Sequence, residues 1–126
     1  MDVTNKNNIQ QVLIELKKNG INVNILVNNA AINPKMQDES DSRLENFSLD
    51  DWDFQLKVGL TGALLCSQIF GNEMAKQGGG VILNIASDLS IIAPDQRLYK
   101  KNNLLPDQQP VKPVTYSVIK HGLIGL

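Results

Sequence analysis

Tyr116 and Lys120 stand four residues apart in the stretch "TYSVIK". In a helix, positions i and i+4 share a face, so the phenol and the ammonium point the same way, one turn apart. A free phenol holds its proton to about pH 10 and is a poor shuttle at neutral pH. An ammonium beside it favours the phenolate and eases that proton's departure. The pair therefore has the makings of a general acid/base. His121, the single histidine, adjoins Lys120 but points about 100° away around the same helix, so it reads as structural. Cys66 is the single cysteine, which excludes an internal disulfide. Its setting, "GALLCSQIF", predicts a small buried hydrophobe rather than a reactive thiol.

Position on a rigid element decides whether such a pair can work. "NKNNIQQVLIELKKNG" predicts a helix, with Ile9, Val12, Leu13 and Leu16 on one face. Thr4 or Asn5 can cap its start; Lys17 and Lys18 suit its negative end, and Gly20 stops it. "VNILVNNA" predicts a strand buried on both faces, as in a parallel sheet. The polar stretch "INPKMQDESDSRLENF" predicts a loop. Ser48 with Asp51 resembles a capping box opening a long helix. Trp52, Leu56, Leu60, Ala63, Leu64 and Ile69 carry that helix to about Lys76, before Gly78, Gly79 and Gly80. "VILNIA" predicts the second buried strand. A stretch rich in Pro, Asp, Gln and Lys fills residues 88–113, and a last helix begins near Val114.

This alternation predicts an α/β fold with a doubly wound parallel sheet. Only two clear strands are present, which leaves sheet edges open, and the last helix meets Leu126 without a terminator. The expectation is a segment of a larger α/β domain. The 126 residues suffice for one domain at most. A net charge of −1 and no basic stripe argue against a nucleic-acid partner. The uncharged, largely apolar run Val58 to Asn72 is too short and too polar to cross a membrane. With no signal-peptide pattern, a cytoplasmic location is expected.

Four motifs fall in order: "DVT" at 2–4, "NNAA" at 28–31, Ser87 after "VILNIA", and "YSVIK" at 116–120. Together they resemble the short-chain dehydrogenase/reductase family, over essentially the whole chain and matching the middle of that family's domain. The resemblance implies an incomplete Rossmann-like doubly wound sheet lacking its first and last strands. It implies an NAD or NADP cofactor and a small-molecule substrate whose carbonyl and secondary alcohol are interconverted by hydride transfer. It also implies a parent enzyme that is a homo-oligomer, dimer or tetramer. Ser87, Tyr116 and Lys120 are then the catalytic set: Ser87 orients the reacting oxygen, Tyr116 is the general acid/base, and Lys120 assists it and holds the nicotinamide ribose. Asp2, Val3, Asn29, Ala30 and Ala31, with Tyr116 and Lys120, are the implied cofactor-binding residues.

Two departures qualify this expectation. "VGLTG" puts Gly59 where the family commonly has an Asn that bends the long helix and anchors a water. Ala31 replaces the family's usual Gly, which requires φ below zero there. Ser87 and Tyr116 are also unusually far apart, so residues 88–113 are expected to be a long active-site loop insertion. Arg97, Lys100, Lys101 and Lys112 give that loop charge suited to a polar, anionic or sugar-type substrate. Ile91, Ile92, Leu104 and Leu105 are expected to pin its base. Alternatives are a 3-oxoacyl-carrier-protein reductase-like enzyme, or a non-catalytic binding or regulatory protein on the same fold. The isolated 126 residues are expected to be inactive.

Overall fold

The computed structural model describes residues 1–32 and 39–126. Helix α1 (Lys6–Lys18) starts where Asn5 accepts a hydrogen bond from the Asn8 N–H. It ends at Gly20, whose φ of +71° suits a residue without a Cβ. Strand β1 (Ile25–Asn28) follows. The loop expected after it lies partly outside the described residues; within them, Glu39–Ser42 form a short 3₁₀ turn. Helix α2 (Leu49–Leu56) opens with the Ser48 hydroxyl accepting from the Asp51 N–H at 3.4 Å, the expected cap. It runs through a π-turn (Lys57–Thr61) into helix α3 (Gly62–Lys76). Strand β2 (Val81–Asn84) and helix α4 (Val114–Gly125) complete the regular elements.

β1 and β2 pair in parallel, with Ile25 opposite Val81 and Asn28 opposite Asn84. Residue 25 thus starts a ladder that brings both strand ends, and both Asn side chains, to one edge. α3 packs on the two strands, α1 lies against α3, and α4 packs against α2 and the π-turn. The core between α1, α3 and β1 is Ile9, Leu26, Cys66, Phe70 and Met74, with Val12, Leu13, Leu16 and Ile69 around it. Burial is what drives these elements together, each such side chain contributing about 1.5–3 kcal/mol. The predicted apolar face of α1 is this contact. Leu64, expected in the pattern of the long helix, is exposed instead.

The strands are not buried on both faces. Leu26 and Asn28 are buried, but Ile25 and Val27 are exposed, as are Val81, Ile82 and Leu83. The helices among the described residues pack on one face of the sheet, so alternate residues of β1 have nothing to cover them.

Candidate active site

The edge at the carboxyl ends of β1 and β2 is built by amide side chains. Asn28 Nδ2 donates to Asn84 Oδ1 at 2.8 Å and to Ser67 Oγ at 3.0 Å. Asn84 Nδ2 donates to the Leu123 carbonyl of α4 at 3.3 Å. β1, β2, α3 and α4 are thereby tied through two residues that the parallel register sets side by side. One residue beyond β2, the Ile85 carbonyl accepts from Lys120 Nζ. Lys120 is buried, and this carbonyl fixes its ammonium at the strand end.

Tyr116 and Lys120 line one cleft, as their spacing predicts, with Asn28, Ala30, Ala31 and Ile32 from the β1 end and Gln55 and Gly59 from the long helix. Lys120 Nζ lies 5.8 Å from the Tyr116 ring centroid. Val3, Asn29 and Ala30 line a second cleft that shares Asn28, Ala30 and Gly59 with the first. Ala31 avoids positive φ, since Asn103 is the only non-glycine with positive φ among the described residues. Small residues at 30 and 31 line the cleft at this edge.

Two expected site residues line neither cleft. The Ser87 hydroxyl donates to Asp88 Oδ1 at 2.7 Å and accepts from the Leu89 N–H at 3.2 Å. It caps a 3₁₀ turn, Asp88–Ser90, that packs against α4. The Ser87 hydroxyl, then the Leu89 N–H, hold the Asp88 carboxyl below its ordinary range. Ser90 is buried, its oxygen accepting from the Ser87 N–H. Asp2 uses Oδ1 to accept from the Thr4 hydroxyl and N–H, which lowers its carboxyl's pKa. Its own N–H donates to Asn8 Oδ1. Elsewhere, burial pushes the Cys66 thiol up, as its setting predicts. His121 is exposed, with Nδ1 2.9 Å from the Ser117 carbonyl one turn back.

Gly59 has a steric cause. A Cβ there would lie 2.8 Å from Ile119 Cγ2, and one on Gly122 would lie 2.9 Å from Leu60 Cδ2. Ile119 of α4 fills the place of the missing side chain, and Leu60 does the same at Gly122. Gly59 lies within the π-turn that joins α2 to α3.

Sequence reasoning missed the Gln55–Thr115 pair and the position of Lys112. Both Gln55 and Thr115 are buried, and the Thr115 hydroxyl donates to Gln55 Oε1 at 2.6 Å. Gln55 Nε2 has no partner. A polar residue in a run of "DDWDFQ" gives no signal of burial. In the sequence Lys112 is one of the loop's several cations, yet its Nζ lies 3.9 Å from the Tyr116 ring centroid. Spacing gave no signal of this, because Lys112 lies outside α4, before the non-helical Pro113.

Residues 88–113 are held by polar contacts rather than apolar ones. Arg43 donates to the Pro106 carbonyl, Ser42 Oγ accepts from the Val111 N–H, and Gln109 bonds Lys101 and Leu104. Of the four residues expected to pin the base, Ile91, Ile92 and Leu105 are exposed and Leu104 is half-buried. Arg97 is taken up by Asp95 in a two-pronged ion pair. No group of three or more side chains suited to a metal ion occurs among the described residues. No helix among them is long and apolar enough to cross a membrane.

The chain has clear likenesses. A family model described as short chain dehydrogenase matches residues 1–98. The NAD-dependent glycerol dehydrogenase of Listeria innocua is 36% identical over 98 residues, covering 78% of this chain and 36% of that protein. An uncharacterized oxidoreductase of Thermotoga maritima is 33% identical over 125 residues, covering 99% of this chain and 40% of its own length. Among solved structures, a putative gluconate dehydrogenase from Agrobacterium tumefaciens matches with a TM-score of 0.75 and 27% identity. That likeness covers 98% of this chain and 40% of that protein. The chain spans about two-fifths of the length of the relatives it matches.

Proposed function

The chain belongs to the short-chain dehydrogenase/reductase family of oxidoreductases, and from that membership we propose that it forms the central part of an NAD(P)-dependent enzyme interconverting a carbonyl and a secondary alcohol. The carrying observation is the cleft in which Tyr116 and Lys120 meet the small residues 30 and 31 at the carboxyl edge of the sheet. That edge is where ligands bind in open α/β sheets.

In this reading the Tyr116 hydroxyl gives its proton to the substrate carbonyl oxygen, or takes one from the alcohol. Lys120, anchored on Ile85, offsets the charge left on the phenolic oxygen and donates its remaining N–H groups to the cofactor ribose. Ser87 orients the reacting oxygen once its hydroxyl turns from Asp88. Asn29, Ala30 and Ala31 give the cofactor close backbone approach, with Val3 and Asp2 toward its adenine end. NAD(P), when bound, supplies or accepts the hydride. Residues 88–113 act as a substrate-facing lid, since Lys112 and Pro113 at its end line the Tyr116 cleft. The rival reading, a non-catalytic protein on this fold, leaned on Gly59. The packing of Ile119 gives that glycine a steric cause, which removes the feature the rival leaned on.

The 126 residues alone contain no Gly-x-x-x-Gly-x-Gly loop for the pyrophosphate. We expect them neither to turn over nor to hold NAD(P)H at micromolar concentration, which calorimetry would read. The test of the function uses the full-length protein with NAD+ or NADP+ and a panel of polyols, sugar acids and 3-hydroxyacyl thioesters. Formation of reduced nicotinamide with a member of the panel is expected. Tight cofactor binding without turnover of any member would favour the non-catalytic reading instead.

A further inference from the structure

Lys112 is held more firmly than a loop lysine needs to be. Its N–H donates to Gln96 Oε1 at 2.8 Å, and its carbonyl accepts from Gln96 Nε2 at 3.4 Å. The Val111 N–H before it is taken by Ser42 Oγ at 3.0 Å. Pro113 after it leads directly into α4. With its backbone so held, its ammonium lies 3.9 Å from the Tyr116 ring centroid, closer than that of Lys120 at 5.8 Å. The ion pairs among the described residues join Lys17 to Glu73, Arg43 to Glu45 and Arg97 to Asp95; none includes Lys112. A ring face satisfies a cation's charge in part but accepts no directed N–H bond. Lys112 lines both the Tyr116 cleft and the larger groove beneath the loop, whose other lining includes Pro94, Val114 and Val118.

We propose that Lys112 is a specificity-determining residue that receives a substrate carboxylate, so that the alcohol oxidised at Tyr116 is a hydroxy acid. An ammonium over the ring face sits only a few ångströms from the phenolic oxygen. A carboxylate bound to it is therefore one or two carbons from the carbon that Tyr116 serves. A 2- or 3-hydroxy acid fits. Its carbinol carbon loses a hydride to the oxidised nicotinamide and its hydroxyl proton passes to Tyr116, which leaves the oxo acid; the reverse step reduces the oxo acid. Arg97, already paired with Asp95, and the exposed Lys100 are not placed to do this.

The inference rests on the oxidoreductase reading of Tyr116, and the experiment separates the two. In the full-length protein, kcat/KM is measured for an aldonate and for the polyol of the same carbon count, with wild type, Lys112→Met and Lys112→Arg. The acid-to-polyol ratio should fall about tenfold to a hundredfold in Lys112→Met, the usual effect of losing a charged hydrogen bond. Lys112→Arg should recover most of it. Calorimetric binding of the aldonate to Tyr116→Phe with saturating cofactor, with and without Lys112→Met, reads the same contact without turnover. An unchanged ratio with both substrates turned over overturns the inference and leaves the oxidoreductase reading standing. Lysine-dependent aldonate binding without turnover in the wild type keeps the carboxylate contact but overturns the oxidoreductase reading, and with it the hydroxy-acid assignment. A loss that appears in cofactor affinity instead assigns Lys112 to a cofactor phosphate and also overturns the inference.

Discussion

Replacing Gly59 by alanine should destabilise the protein, although alanine is the better helix former. In an unobstructed helix the exchange gains about 1 kcal/mol. Here the new Cβ would lie 2.8 Å from Ile119 Cγ2 and 3.1 Å from Ile119 Cδ1. The nearer atom is the branch methyl of a β-branched residue, whose χ1 is stiff in a helix. Ile119 therefore cannot swing aside, and α4 or the π-turn must move. Overpacking of this kind costs about 1–3 kcal/mol. The net loss should be about 1 kcal/mol. Ile119→Ala removes both obstructing atoms, so in that background Gly59→Ala should show its helix gain. The double-mutant cycle should then give a coupling of about 1–3 kcal/mol. Urea unfolding of the four proteins measures it, provided their m-values agree. A Gly59→Ala protein that gains the full helix increment with Ile119 in place would refute the steric account of this glycine.

Three other outcomes follow from particular contacts. Trimming residues 95–110 to a short Gly-Ser bridge in the full-length protein should cut kcat/KM for the natural substrate severely while cofactor affinity holds; unchanged kinetics would remove the lid from the account. Thr115→Val strips Gln55 Oε1 of its buried partner and should cost about 1–3 kcal/mol in urea unfolding, whereas adding Gln55→Leu should restore most of it. The Glu73 carboxyl is held below its ordinary range by the Lys17 ammonium, then by Gln77. A depressed value contributes stability that is present above the ordinary carboxyl value of 4.5 and lost as pH falls through the depressed one. Glu73→Gln should therefore lower the melting temperature at pH 6, and the difference from wild type should shrink below about pH 4; a constant difference would contradict it.

Much of this was legible beforehand because it depends on local rules. Apolar spacing placed α1 and α2–α3, while Asn5, Ser48, Gly20 and Gly78 marked their ends within a residue or two, and the end of the Pro-rich stretch placed the start of α4. The i, i+4 rule placed Tyr116 and Lys120 in one cleft. Contacts between distant segments were not legible. Ile25 and Val27 look like core in a string of letters, and only the position of the helices shows them uncovered. Gln55 reads as solvated until Thr115, sixty positions on, closes over it. The glycine at 59 needs the close approach of Ile119 to be understood. Polar contacts from Ser42 and Arg43 hold the long loop, where its apolar residues were expected to act.

The central claim is that the Tyr116 hydroxyl carries the proton that accompanies hydride transfer. Tyr116→Phe removes that one oxygen and leaves the ring under Lys112 and beside Lys120. Single-turnover formation of reduced nicotinamide, measured with cofactor affinity on the same full-length sample, tests it most directly. The account predicts a rate at least about a thousandfold lower, in the range lost with a general acid/base, at nearly unchanged cofactor affinity. A Tyr116→Phe protein that transfers hydride at a rate near that of the wild type would contradict it.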